Sequence, residues 1–183
     1  QFSSNELEIN QYLLLDAPKK RFKLFTKLFN NIIVIYLTPL MPITMIKNIL
    51  FNDIKKGVIL CVYGVGNLVQ STELKDIFTQ SMTKYKTEIV ITTQCKFGHV
   101  NINVYAAGKY YSNIGLINSS DMTIEACIAK LSYLMGKGYV GKKLKEYYEM
   151  DMRGEYTPET TIKGRIVDYK RKFGDTPQFR INK

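Results

Sequence analysis

Apolar runs alternate with helical stripes along most of this chain. Ile32-Ile33-Val34-Ile35-Tyr36-Leu37 is a continuous, mostly β-branched run closed by Thr38-Pro39, the pattern of a strand buried on both faces. Pro42 opens a helix in which Ile43, Ile46, Ile49 and Leu50 recur at helical spacing, and Lys55-Lys56-Gly57 marks its exit. Val58-Ile59-Leu60-Cys61-Val62 is a second buried strand. Ser71-Thr72 then caps a helix carrying Leu74, Ile77, Phe78, Met82 and Tyr85 on one stripe. Ile89-Val90-Ile91-Thr92 is a third strand. Strands alternating with short helices are βαβ units, so the expected fold is α/β: a small parallel sheet of about four strands with flanking helices.

Beyond the third strand the alternation continues at Val100, Ile102 and Val104, before turns at Gly108 and Gly115. Thr123 caps a helix with Glu125 in its first turn and an apolar stripe of Ile124, Cys127, Ile128, Leu131, Leu134 and Met135. A last helix is expected around Lys142–Met152. The chain therefore divides into a linker or edge segment over 1–31, a domain over 32–155 and a polar, basic, loosely ordered tail over 156–183. Phe22, Leu24 and Thr26 carry the weak alternation of the first segment.

Charge changes this picture little. Of the formal net charge of +10, residues 1–30 carry +2, residues 31–136 carry +3 and residues 137–183 carry +5. The dense runs Lys142-Lys143-Leu144-Lys145 and Lys170-Arg171-Lys172 are flanked by acids, which reads as a solvated face or tail and argues against a nucleic-acid surface. Tyr105, Tyr110 and Tyr111 read as packing aromatics rather than base-stacking platforms. Cys61, Cys95 and Cys127 form neither a disulfide framework nor a zinc spacing, which favours a reducing compartment, and cytoplasm is the expected location. No signal peptide is visible, and no apolar stretch approaches the roughly 20 residues of a membrane helix.

Candidate chemistry collects where strands end, because loops diverge there in an open parallel sheet. Tyr63-Gly64-Val65-Gly66-Asn67 leaves the second strand and Thr93-Gln94-Cys95 leaves the third. The two glycines admit a sharp turn or a close backbone approach, and Asn67 offers both a donor and an acceptor. An ordinary strand-to-helix turn is the competing reading. The loop is neither a dinucleotide fingerprint nor a phosphate loop, since the third glycine and the lysine are absent. Cys95 reads as a packed, unreactive thiol, His99 as a loop or core histidine, and Asp121 as the cap of its own turn. No metal site and no cofactor are expected.

These stretches, taken together, resemble the C-terminal domain of the L-asparaginase family. The residues that carry the resemblance are Tyr63-Gly64-Val65-Gly66-Asn67, then Thr93-Gln94-Cys95 with Gly98, Val100, Asn101, Tyr105 and Gly108, and then Asp121-Met122-Thr123 with Glu125-Ala126, Lys130-Leu131 and Leu134. Arg153-Gly154-Glu155 is also similar, and the match runs from about Ile32 to Glu155. It is similar to the cytoplasmic type and to the asparaginase-like subunit of archaeal glutamyl-tRNA amidotransferase.

The resemblance implies a two-domain amidohydrolase converting L-asparagine to L-aspartate and ammonia. An N-terminal domain of the same protein supplies the threonine nucleophile, and the C-terminal domain faces a neighbouring subunit's active site in a homo-oligomer. It further implies that Asn67, with Gly66 and Tyr63, lies against a small amino-acid amide, and that Thr93, Gln94 and Cys95 form an effector or loop site. No catalytic residue is expected in this chain, which contains no Thr-Gly-Gly-Thr nucleophile loop. Relatives often carry an arginine at the Cys61 position, where it helps to hold an effector. Leu40 stands where glycine is usual, and Ile124 where proline is common. The alternatives are a non-catalytic amino-acid-sensing or interaction domain, and a component of a tRNA-dependent amidotransferase.

Overall fold

The computed structural model describes residues 2–3, 6–7, 21, 23–95, 98–100 and 110–158. Four parallel strands form the central sheet in chain order: β1 (Ile32–Tyr36), β2 (Gly57–Val62), β3 (Glu88–Thr93) and β4 (Ile117–Asn118). Helices α1 (Ile43–Leu50) and α2 (Thr72–Thr83) pack on one face, α3 (Ile124–Gly136) and α4 (Gly141–Tyr148) on the other. The architecture is the expected α/β. A separate two-residue ladder pairs Phe2–Ser3 with Glu6–Leu7.

Burial explains why β2 and β3 read as unbroken apolar runs. Every residue of both strands is buried, and alternate side chains serve opposite cores. Val58, Leu60 and Val62 join Leu50, Ile77 and Phe78 under α1 and α2, whereas Ile59, Cys61 and Val90 meet Cys127, Leu131 and Tyr148 under α3 and α4. The helices start as their caps dictate. Ser71 accepts from the Leu74 N–H at 3.2 Å, and Thr123 from the Ala126 N–H at 3.2 Å.

Several expectations are corrected. β1 is not buried on both faces: it lies at the sheet edge, only Ile35 of its five residues is buried, and Tyr36 is 50% exposed. The fourth strand is Ile117–Asn118, a two-residue element too short to leave a pattern, while Val100 lies outside any strand and donates to the Ser120 carbonyl. Ile102, Val104, Tyr105 and Gly108 fall outside the described residues. In α3, Ile128 is exposed and Lys130 buried. The last helix ends at Tyr148 rather than Met152.

Residues 23–31 adopt no strand; they cross α3 as a strap. Ser132 holds it from both ends of one residue, accepting from the Phe29 N–H at 3.0 Å and donating its hydroxyl to the Phe29 carbonyl at 2.6 Å. The approach is close enough that a Cβ on Gly136 would sit 1.9 Å from the Lys27 carbonyl oxygen, so only glycine fits there. At the other end of the domain, Tyr156 is buried and the Thr157 N–H donates to Asp121. Asp121 thus ties the chain beyond α4 rather than capping its own turn, where Asn118 accepts from the Ser120 N–H. The rest of the 156–183 segment, from 159 on, lies outside the described residues.

Three buried charges sit at helix or chain ends. The Lys56 ammonium, 1% exposed, donates to the carbonyls of Ile49, Leu50 and Asn52 and to the Asn52 side chain, satisfying the open end of α1. Burial lowers its pKa, and Asp53 opposes the shift. Glu88 accepts from the Gly141 N–H at 2.8 Å and so supplies α4 with the cap that Val140 cannot. Lys130 meets Glu155 at 2.6 Å and donates to the Met150 carbonyl, with Tyr148 and Tyr156 rings against its ammonium. Glu155 also accepts from the Met152 and Arg153 N–H groups, which folds Arg153-Gly154-Glu155 back onto α3.

Burial alone would push the Glu155 carboxyl up, but the Lys130 ammonium and the N–H groups of Glu155 itself and Arg153 hold it below the usual carboxylate range. A depressed folded pKa adds stability that is present above the unfolded pKa and lost as pH falls through the folded value. Glu155→Gln should therefore cost about 2–3 kcal/mol at neutral pH, because it leaves a buried ammonium without its counter-charge. Urea unfolding at neutral pH and below the carboxylate range checks this: the gap between wild type and variant should narrow in acid.

Candidate functional site

The carboxyl ends of β1, β2 and β3 converge on one glycine loop. After Val62 the chain turns within five residues: the Tyr63 carbonyl accepts from the Gly66 and Asn67 N–H groups at 3.1 and 2.8 Å, and the Tyr63 N–H donates to the Asn67 carbonyl at 3.3 Å. Gly64 and Gly66 have φ of +49° and +117°, values that side chains resist, so both glycines are needed for the reversal.

Residues leaving β3 clamp this loop from below. The Thr93 hydroxyl donates to the Gly64 carbonyl at 2.5 Å and accepts from the Cys95 N–H at 3.0 Å. Gln94 reaches across the sheet: its amide nitrogen donates to the carbonyls of Leu37 at 2.7 Å and Cys61 at 2.9 Å, and its backbone N–H to Val62 at 3.0 Å. One side chain thus joins the ends of all three strands. On the far side, buried Tyr111 donates to the Val69 carbonyl at 2.6 Å and accepts from the Ser71 N–H at 3.3 Å, which fixes the exit from the loop into α2. Burial pushes the Tyr111 phenol up, against the pull of the Ser71 hydrogen bond, so it stays a neutral donor.

Asn67 is what the loop displays. It is half-buried, its backbone is held on both sides, and its side-chain amide makes no hydrogen bond among the described residues. A cleft of about 230 Å³ opens beside the loop, walled by Leu37, Pro39, Met41, Tyr63, Val69 and Leu74. The Tyr63 hydroxyl is buried and has no hydrogen-bond partner among the described residues. The structure therefore brings Tyr63, Gly66, Asn67, Thr93 and Gln94 together. Cys95 departs from expectation: β3 ends at Thr93, so its thiol lies past the sheet and is exposed rather than packed. His99 is a half-buried loop residue, and Tyr111 packs as expected.

Cys61, at the position where an arginine would hold an effector, is fully buried under α3. Burial, reinforced by the neighbouring Cys127, pushes its thiol up to about 11, so the position carries no charge. Among the described residues no group of three metal-ligating side chains exists. No helix of the described residues is long and apolar enough to cross a membrane. The loop offers amide and hydroxyl groups, which can hydrogen-bond a polar ligand. Sequence reasoning missed the reach of Gln94, whose acceptors lie 57 and 33 residues away in the chain.

Residues 31–148 match the family described as Glutaminase/Asparaginase C-terminal domain, and the chain belongs to it. It is 32% identical over 130 residues to L-asparaginase 1 of Escherichia coli K12, which covers 69% of this chain and 37% of the relative. It is 29% identical over 146 residues to a Glutamyl-tRNA(Gln) amidotransferase subunit of Saccharolobus islandicus, which covers 80% of this chain and 32% of the relative. The structure is similar to L-asparaginase I from Vibrio cholerae, with TM-score 0.69, 33% identity and coverage of 76% of this chain and 42% of that one. The thermostable L-asparaginase from Thermococcus kodakarensis gives TM-score 0.62 at 26% identity, covering 72% and 39%. The chain thus spans less than half the length of these proteins.

Gln94→Leu keeps the side-chain volume but deletes both cross-sheet donations, leaving the Leu37 carbonyl without that donor while the Cys61 carbonyl keeps the Leu37 N–H. At about 1 kcal/mol for each hydrogen bond, it should lose about 2 kcal/mol of stability in chemical denaturation. An unchanged midpoint would show that the clasp carries no weight.

Proposed function

We propose that this chain is the C-terminal part of an asparaginase-like amidohydrolase that converts L-asparagine and water to L-aspartate and ammonia. The domain spans 32–155, preceded by a connecting segment over 1–31 and followed by a basic tail over 156–183. Its partners are an N-terminal catalytic domain that supplies the threonine nucleophile, and further copies in a homo-oligomer. The reaction needs no cofactor, and the expected location is cytoplasmic. Asn67, with Gly66 and Tyr63, contacts the amino-acid amide bound in a neighbouring subunit's pocket. The observation that carries this reading is the Asn67 side chain: it makes no hydrogen bond among the described residues, yet it stands on a loop closed by three backbone hydrogen bonds, within a domain of the asparaginase family.

Thr93 and Gln94 belong in this reading to loop architecture rather than to an effector site. Their donors are committed to backbone carbonyls, and the Cys61 thiol offers no charge to an effector carboxylate. A second reading, a component of a tRNA-dependent amidotransferase, is favoured by the similarity to the Saccharolobus islandicus protein over 80% of the chain. RNA binding that weakens steeply with salt would support it.

The chain by itself should release no ammonia from asparagine or glutamine, and turnover that vanishes in Cys95→Ala would overturn the proposed division of labour. In the protein carrying both halves, Asn67→Ala should lower kcat/KM about tenfold or more while leaving the melting temperature unchanged, since it removes a substrate contact of about 1.4 kcal/mol or more without opening a cavity. A lowered melting temperature with unchanged kinetics would make Asn67 a turn residue only.

A further inference from the structure

We propose that the strap over 23–31, with the α3–α4 junction it crosses, is a docking surface for an anionic lipid bilayer, its lysines meeting the headgroups and Leu24 and Leu28 entering the acyl boundary. The inference stands on the surface itself and does not depend on the amidohydrolase reading. Along the chain the positive charge is dispersed; the fold gathers it. Residues 17–52 contain no Asp or Glu, and neither do residues 126–145. The strap comes from the first of these stretches and most of α3 from the second. They meet closely: the Lys27 carbonyl lies against Gly136, Ser132 is bonded to Phe29, and Phe25 meets Tyr133 edge-on at 5.3 Å.

Printed on this seam is a connected set of cations and rings. The Lys137 ammonium lies 5.5 Å from the centre of the Phe25 ring and 4.5 Å from that of Tyr133. It also feels Tyr139 and Arg153, and no carboxylate is among the groups that act on it. Tyr139 in turn carries the Lys143 ammonium at 4.5 Å and packs on Tyr147 at 4.7 Å. Near the other end of the strap Lys55 lies 6.0 Å over Phe29, and Lys23 and Lys27 are exposed on the strap itself. Against these cations stands Glu146, exposed one turn beyond Lys143, whereas Glu88 is buried and turned to the Gly141 N–H. The surface is strongly positive although no single run in the chain is.

Between the lysines the outermost apolar groups are aliphatic. Leu24 and Leu28 are 75% and 60% exposed, and Val140, beside Tyr139, is 45% exposed. Phe25 and Phe29 anchor the strap by packing on Tyr133 and on the core under α3, so the two leucines are left with no part in holding it. Apolar tips flanked by basic side chains are the composition of a segment that lies in a membrane interface, where buried apolar area and attraction to anionic lipid add.

Charge and shape together select the bilayer over other polyanions. A single-stranded nucleic acid would use the same lysines, but it would stack its bases on open aromatic faces. Here the rings are engaged with one another and with lysines: Tyr133 with Phe25 and Lys137, Tyr139 with Tyr147 and Lys143. Leucine tips give a base nothing to stack on and give an acyl chain a matching surface. The cytoplasmic leaflet carries the anionic lipids that attract basic segments, so a contact of this kind leaves the chain in the compartment expected for it.

Co-sedimentation with vesicles tests the proposal, on the purified chain and on the protein carrying both halves. Vesicles of equal parts phosphatidylcholine and phosphatidylserine should carry the protein down, less so as salt rises, and vesicles of phosphatidylcholine alone should not. Lys23→Gln with Lys27→Gln should lower the partition coefficient at least tenfold, at about fivefold for each charge lost near the leaflet. Leu24→Ser with Leu28→Ser should lower it comparably, and since all four side chains are exposed the circular dichroism spectrum should not change. Lys47→Gln with Lys75→Gln removes the same charge from α1 and α2, across the sheet, and should leave binding in place. Four results would overturn the docking surface. They are no binding to the anionic vesicles; an equal loss in the α1–α2 pair, which would make net charge the cause; a loss in the lysine pair but not in the leucine pair, with oligouridylate bound as tightly as the vesicles, which would make this a nucleic-acid surface; and binding by the chain but not by the protein with both halves, which would give this face to the N-terminal half.

Discussion

A parallel sheet ends in carbonyls that no continuing strand can satisfy, and this fold meets that constraint largely with the two residues at the end of β3. Gln94 takes up Leu37 and Cys61 through its amide and Val62 through its backbone, while Thr93 takes up Gly64. Buried carbonyls left without donors cost about 1–3 kcal/mol each, so the clasp holds the strand ends in register. The loop built on that register is then rigid enough to turn through two positive-φ glycines and still display Asn67 in one place.

Charge performs a related service at the helix ends. Lys56 closes α1, Glu88 opens α4, and Lys130 with Glu155 folds the chain beyond α4 back onto α3. In each case a charged side chain satisfies backbone groups that the helix or turn leaves open, Lys56 and Glu155 from a few residues away and Glu88 and Lys130 from separate segments. The two residue groups that carry the family resemblance at the end of the domain, Lys130-Leu131 and Arg153-Gly154-Glu155, are thus one interaction in space.

Much of this was legible in the sequence because its signals are local. β2 and β3 are buried on both faces, so their composition declares them, and the caps of α2 and α3 are spelled by Ser71 and Thr123. What escaped is non-local. β1 has the composition of an inner strand, and only the strand order shows it at an edge. Cys95 read as packed because no partner for a reactive thiol was visible, yet the sheet ends two residues earlier and leaves it exposed. Nothing local marks Lys130 as buried; Glu155 and two tyrosine rings, from residues 148–156, enclose it. Of the candidate site, the turn residues were visible from spacing, whereas the reach of Gln94 was not.

The central claim is that the fold holds Asn67 in a fixed position with its amide free to meet a ligand. Nuclear magnetic resonance of the isotope-labelled chain tests it directly, by comparing the backbone amide of Asn67 with its side-chain NH₂ group. The account predicts a backbone amide protected from hydrogen exchange by the Tyr63 carbonyl, beside side-chain protons that exchange with solvent as those of an unbonded amide do. A backbone amide exchanging at the rate of an unfolded chain would contradict the fixed loop, and protected side-chain protons would contradict the free head.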